Sequence, residues 1–214
     1  MLTYVKKMGR RQRSASLIVS SAEVAFRERG FANVSMEEIA QRAGLSRMTV
    51  YNLFEDKDDI VRAIVADADA KYEPAFRQRM AANEDALILL RDALRSSARW
   101  CLDNPSIAPI ALAGTKDKAK TAQPPERPSF HRLIADLMIL GQQQGTIRRD
   151  EDAYVSTMIL LGVFAQALLY ALSGGPFHEQ STDHLLRVII EGLGTKQRRS
   201  AKPKAIRNAG RKSE

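Results

Sequence analysis

Residues 35–57, SMEEIAQRAGLSRMTVYNLFEDK, hold two helix start signals with a glycine between them, which leaves little choice but two short helices and a tight turn. Ser35 is followed three residues later by Glu38, a capping box for the free amides of a helix start. Ile39, Ala40 and Ala43 give that helix one small apolar face, and Gly44 ends it by entering the left-handed region at no Cβ cost. Leu45 is the expected buried plug of the turn, and Ser46 is the expected cap of the second helix. Val50 and Phe54, four apart, form the inner face of that helix, while Arg47, Thr49 and Tyr51 point outward. This is the layout of a helix-turn-helix whose second helix enters a DNA major groove. An α-hairpin with a glycine turn also occurs as a mere packing unit, so the surroundings have to decide.

Upstream, Ile18, Ala22, Ala25 and Phe26 recur at helical spacing and predict a helix from about Arg13 to Arg29. Gly30 stops it, and Phe31 is expected to fold back onto it. Downstream, Asp56 caps a fourth helix carrying Ile60, Ile64 and Val65, which should run to about Met80 with a bend near Pro74. The charge is unevenly spread. The chain has a formal net charge of +8, yet residues 1–13 hold five basic residues and no acid, and 196–214 hold eight basic residues against Glu214. The remainder, 14–195, carries 20 basic and 24 acidic residues. A basic arm beside a helix-turn-helix points to phosphates, although charge runs in general often do no more than solvate a surface.

The succession Ile18-Ala22-Phe26-Gly30, Ser35-Met-Glu-Glu-Ile-Ala, Ala43-Gly44-Leu45-Ser46, Thr49-Val-Tyr51 and Phe54-Glu-Asp-Lys57 resembles the TetR family of bacterial transcriptional regulators. The resemblance covers about residues 13–62, with spacing preserved across four helices. It implies an all-α chain: an N-terminal three-helix helix-turn-helix DNA-binding head with its basic arm (1–57) and a helical effector-binding and dimerisation domain (58–195), while the composition of 196–214, basic and without apolar periodicity, predicts a disordered tail. The resemblance also implies a homodimer on double-stranded DNA, responsive to a small-molecule effector. Three positions depart from the family's habit. Met48 stands where a small residue is usual, Leu53 where histidine is frequent, and Glu37 where several members are basic.

Beyond the head, helices are expected from Glu84 to Asp103, from Ile107 to Ala113, from Ser129 (as cap) to Gly145, and from Asp150 or Asp152 to Gly174. A last helix is expected from about Thr182 to Leu193, and the polar, proline-bearing run Gly114–Pro128 reads as a linker. The helices at about 152–173 and 182–194 are apolar around much of their circumference and need cover on more than one face. A four-helix interface with a second copy would supply it, in place of burial inside a monomer. No uninterrupted apolar run long enough to span a bilayer is expected, because Gly162 and Gln166 break the longest one, so a cytoplasmic protein without membrane contact is predicted. The lone Cys101 fits a reducing compartment.

The expected DNA contacts are Ser35, Ser46, Arg47, Met48, Thr49, Tyr51, Asn52 and Lys57. Arg47 can bond O6 and N7 of guanine or clamp a phosphate, and Met48 and the Thr49 methyl can meet a thymine methyl. By the resemblance, Tyr51 and Lys57 hold the DNA backbone, and Ser35 can offer its amide to a phosphate. Trp100, Cys101, Met138, Phe164 and Gln166 are candidates for an effector pocket, with ordinary core as the competing reading of each. His131, His178 and His184 have no metal-ligand spacing with Cys101, so neither a metal nor a cofactor is expected. No nucleophile motif or phosphate loop suggests an enzyme. The expectation is a repressor released from a pseudo-palindromic operator by its effector. A DNA-organising protein with the same head and no effector is the alternative, and a helical enzyme is the remote one.

Overall fold

The computed structural model describes residues 9–113, 129–175, 181, 183, 184 and 187–189. The elements are α1 (Arg10–Arg29), a single turn of 3-10 helix (Phe31–Asn33), α2 (Met36–Arg42), α3 (Arg47–Tyr51), α4 (Lys57–Ala81), α5 (Ala86–Asp103), α6 (Ala108–Ala113), α7 (Phe130–Gln144) and α8 (Ala153–Leu172). Among the described residues no strand occurs. The expected linker Gly114–Pro128, the tail 196–214, residues 1–8 of the arm and much of the helix at 182–194 lie outside the described residues, although 181, 183, 184 and 187–189 are helical.

Local signals set most of the boundaries. Ser35, Ser46, Asp56, Asp85 and Asp152 each accept an amide hydrogen at the start of their helix. Asp152 therefore opens α8, and Asp85 starts α5 slightly later than expected. Gly145 closes α7 in the left-handed region, at φ 75°. The first helix begins earlier than its apolar stripe, so Arg10, Arg11 and Arg13 sit on it and not in a free arm. Arginine is a good helix former, and a stripe marks only the buried part of a helix. Helix α4 runs on through Pro74. Ala70, whose carbonyl loses its donor, is exposed and can bond water.

Two apolar clusters organise the molecule. The head cluster joins Ile18, Ala22 and Phe26 of α1, Ile39 and Ala40 of α2, Val50 of α3 and Ile60, Val61 and Ile64 of α4. The body cluster joins Phe76 of α4 with Leu89, Leu90 and Leu94 of α5, Ile134, Leu137 and Met138 of α7 and Leu160, Phe164 and Leu168 of α8. Thus α4 is a shaft shared by both. A second tie comes from the end of α5: Trp100 packs against both clusters, Ile107 is only 1% exposed within the head cluster, and the Ser106 hydroxyl donates to the Phe26 carbonyl at 3.0 Å.

The last long helix, α8, buries Ser156, Leu160, Phe164 and Leu168 and leaves Val155, Met158, Ile159 and Val163 in the open, with Tyr154 and Tyr170 each 60% exposed. Its 20 residues are long and apolar enough to cross a membrane by length and composition alone, contrary to the expectation above. Gly162 and Gln166 do not lower its hydropathy enough to break the run.

Candidate nucleic-acid interface and cavity

The turn between α2 and α3 closes as the sequence dictates. Gly44 takes φ +66°, its amide donates to Gln41 O at 3.1 Å, and the Leu45 amide donates to Ala40 O at 3.0 Å. That pair of bonds is a Schellman motif. Leu45 is half-buried against the head cluster, less enclosed than a plug. The Ser35 hydroxyl accepts from the Glu38 amide at 3.1 Å, but the reciprocal half of the capping box does not form. The Glu38 carboxylate is drawn instead to Arg29 (2.9 Å) and Arg42 (3.2 Å), because charged partners outbid a neutral amide.

On α3, Val50 is fully buried and holds the helix down, while Met48 is 70% exposed and Arg47, Tyr51 and Asn52 also face out. Phe54 falls just past the five-residue helix but continues its inner face against the head cluster. Thr49 is half-buried, and its hydroxyl shares a 2.8 Å hydrogen bond with Ser46. Arg47 is already paired: its Nε lies 2.8 Å from Glu37 and its guanidinium 5.3 Å from the centre of the Tyr51 ring. The Tyr51 hydroxyl donates to the same Glu37 carboxylate at 3.4 Å. Glu37 is thus the acid that gathers the two outward residues of α3. The Lys57 ammonium is turned into the head, donating to the Phe31 carbonyl at 2.7 Å and lying 4.3 Å from the centre of the Phe31 ring. Phe31 in turn packs on Phe26, with ring centres 5.2 Å apart.

The body holds a cavity of about 170 Å³ between α4, α5, α6 and the start of α7. Trp100 and Cys101 line it. Met138 and Phe164 do not, being packed in the body cluster, and Gln166 lies on the exposed side of α8. Those three sit on helical spacings that read alike whether a helix faces a core, a pocket or a partner. Sequence reasoning missed Asp69, Tyr72 and Glu73 of α4, because acids in the middle of a helix ordinarily read as solvated surface.

Asp69 does structural work as well. Ser129 makes no side-chain cap to α7, and the Phe130 amide donates instead to Asp69 at 3.0 Å across the cavity edge. Burial pushes the Asp69 carboxyl up to about 6; the bond from Phe130 opposes this, and the charge of Glu73 adds to it. Glu73 Oε1 accepts from the Arg77 guanidinium at 2.7 Å, and Arg77 also bonds Asp136. Glu73 Oε2 is buried with no hydrogen-bond partner. Burial likewise pushes the Cys101 thiol up to about 12, against a hydrogen bond with the Ser97 side chain, so it is neutral and unreactive.

Comparison with known proteins gives the head a family. Residues 18–64 match the bacterial regulatory proteins of the tetR family. Among solved structures, a Thermus thermophilus FadR, a TetR-family transcriptional repressor in complex with lauroyl-CoA, is similar over 86% of this chain and 96% of its own, at 21% identity and TM-score 0.71. RolR in complex with resorcinol is similar over 87% of this chain and 90% of its own, at 19% identity and TM-score 0.63. A TetR-family transcriptional regulator from Pectobacterium atrosepticum matches 88% of this chain and 99% of its own, at 21% identity and TM-score 0.57. At such identities the likeness is one of fold. Residues 18–64 thus carry the head of the tetR family of bacterial regulatory proteins, and the all-helical body behind them shares its fold with these structures.

Proposed function

We propose that this regulator is a homodimeric, sequence-specific repressor that leaves its operator when a small molecule fills the cavity between α4, α5 and α7. The observation that carries the reading is α4 itself. One helix begins in the head core at Ile60 and Ile64 and forms a cavity wall further on at Asp69 and Glu73. A ligand that prefers one tilt of α4 therefore biases the position of α3, to the extent of its differential affinity for the two states.

In this reading residues 1–57 present the DNA surface and 58–195 supply the cavity and the dimer. Arg47, Met48, Thr49 and Asn52 meet base edges, Tyr51 meets the backbone, and the amides at the Ser35 and Ser46 helix starts meet phosphates. Lys57, committed to Phe31, acts by fixing the head and not by free reach. The exposed apolar stripe of α8, with the helical residues 183, 184 and 187–189, pairs with its copy across a two-fold axis. Two α3 helices then read a pseudo-palindrome in the cytoplasm, with half-sites about 34–36 Å apart.

Selection of bound sites from random duplexes with the purified full chain tests this. A palindromic consensus is expected, with Tyr51→Ala weakening all sequences about equally and Arg47→Ala also changing the preferred bases. A steep salt dependence with equal affinity for scrambled DNA would instead support a DNA-organising protein. Unchanged affinity for Tyr51→Ala would sink the backbone assignment.

A further inference from the structure

The cavity has a chemical bias that its fold does not dictate. Its walls are largely apolar, and the charged side chains lining it among the described residues are both acids, Asp69 and Glu73. The Arg77 guanidinium stands behind Glu73, holding Oε1 and also bonding Asp136, while Oε2 is buried without a donor. A buried acceptor left without a partner is destabilising until a donor arrives. Asp69 has one identified donor, the Phe130 amide. Trp100 adds an aromatic face to the same cavity, and an aromatic face attracts cations through its quadrupole. The volume of about 170 Å³ is close to that of engineered apolar cavities that admit one benzene ring.

We propose that the cavity takes a small cationic ligand, a protonated or quaternary amine with a body about the size of one aromatic ring, held through Asp69 and Glu73 at its charged end and against Trp100 along its body. The proposal rests on reading this cavity as the effector site. It makes affinity depend on pH. From α4, Glu73 faces Asp69 and the Tyr72 phenol lines the same space; from α5, the Ser96 and Ser97 hydroxyls and the neutral Cys101 thiol line it; from α6, Ala111 and Leu112 bring no charge; from α7, the Phe130 amide is the donor and Ser129 adds a hydroxyl. Raising the pH ionises Asp69 and strengthens the site for a cation.

Trp100 is the single tryptophan of the chain, so its fluorescence reports occupancy directly. The probes are benzylamine, benzyl alcohol and benzoate, three one-ring molecules that differ in charge, titrated into the full-length protein near pH 7.5 with calorimetry as a second readout. Benzylamine is expected to bind about tenfold or more tighter than benzyl alcohol, with benzoate weakest, and Asp69→Asn and Glu73→Gln should each erase most of that preference. Benzyltrimethylammonium, whose charge is fixed, should bind about tenfold more weakly near pH 5 than near pH 7.5, because only about a tenth of Asp69 is then ionised. Benzyl alcohol or benzoate binding as tightly as benzylamine overturns the cationic assignment and leaves the effector-site reading intact. Binding by none of the three at millimolar concentration overturns the cavity as a ligand site altogether.

Discussion

Replacing Asp69 by asparagine should stabilise the ligand-free protein, and the gain should depend on pH in a way that identifies its cause. The carboxyl titrates at about 6 in the fold against 3.8 in the free side chain, principally because burial disfavours its charge. A group that binds its proton more tightly folded than unfolded makes stability fall as pH rises through that interval. The penalty is absent below the unfolded value, about half in place near pH 5, and complete above about pH 6. The full interval corresponds to roughly 3 kcal/mol. Asp69 keeps some contact with water, and that screening brings the expected gain near pH 7.5 to about 1–2 kcal/mol. Asparagine keeps an oxygen that can accept the Phe130 amide, so the start of α7 stays capped; Asp69→Ala removes that cap and should forfeit about 1 kcal/mol of the gain. Urea unfolding of wild type and both variants near pH 5 and pH 7.5, at one protein concentration, measures all of this, and thermal midpoints should move by about 2–4 °C per kcal/mol. An asparagine variant less stable than wild type at both pH values, or a gain independent of pH, would refute the buried-charge account.

Three further perturbations address other parts of the molecule. Glu37→Gln frees Arg47 and Tyr51 from an exposed ion pair, so it should change stability by less than about 0.5 kcal/mol yet tighten operator binding several-fold in fluorescence anisotropy; weaker binding would mean that Glu37 itself meets the DNA. Ile107→Ala empties a buried site in the head cluster and should cost about 2–5 kcal/mol in urea unfolding, and a loss below about 1 kcal/mol would contradict the packing described. Val163→Arg on the open face of α8 should leave the helical signal intact but yield monomers in sedimentation, and an unaltered dimer would move the interface elsewhere.

Much of the head was legible because its signals are local. A serine before each short helix, a glycine at the turn and an aspartate before α4 act within a few residues of themselves, and each does what its type does in isolation. The same holds for Gly145 and Asp152 in the body. What could not be read is tertiary. Glu38 reads as the partner of its own helix start, but its carboxylate bonds Arg29 and Arg42. Ser129 reads as the cap of α7, but Asp69 of another helix takes that role. Met138, Phe164 and Gln166 occupy helical positions whose outlook depends on which neighbours arrive, and only Trp100 and Cys101 of the five pocket candidates reach the cavity. Lys57, expected against the DNA backbone, bonds the Phe31 carbonyl, a partner that no local signal announces. Local chemistry survives folding; partner choice is decided by it.

The clasp made by Ser106 and Ile107 bears on how such a regulator can be re-engineered or recombined. Ile107 completes the head's core from far downstream, and Ser106 bonds the last turn of α1. A segment cut at the end of the helix-turn-helix and grafted onto another body would arrive with a hole where Ile107 belongs and with the Phe26 carbonyl left to the Gly30 amide alone. Exchanging the outward residues of α3 therefore disturbs the fold less than transplanting the head, and a hybrid that does transplant it needs a matching residue at the α5–α6 corner of its new host.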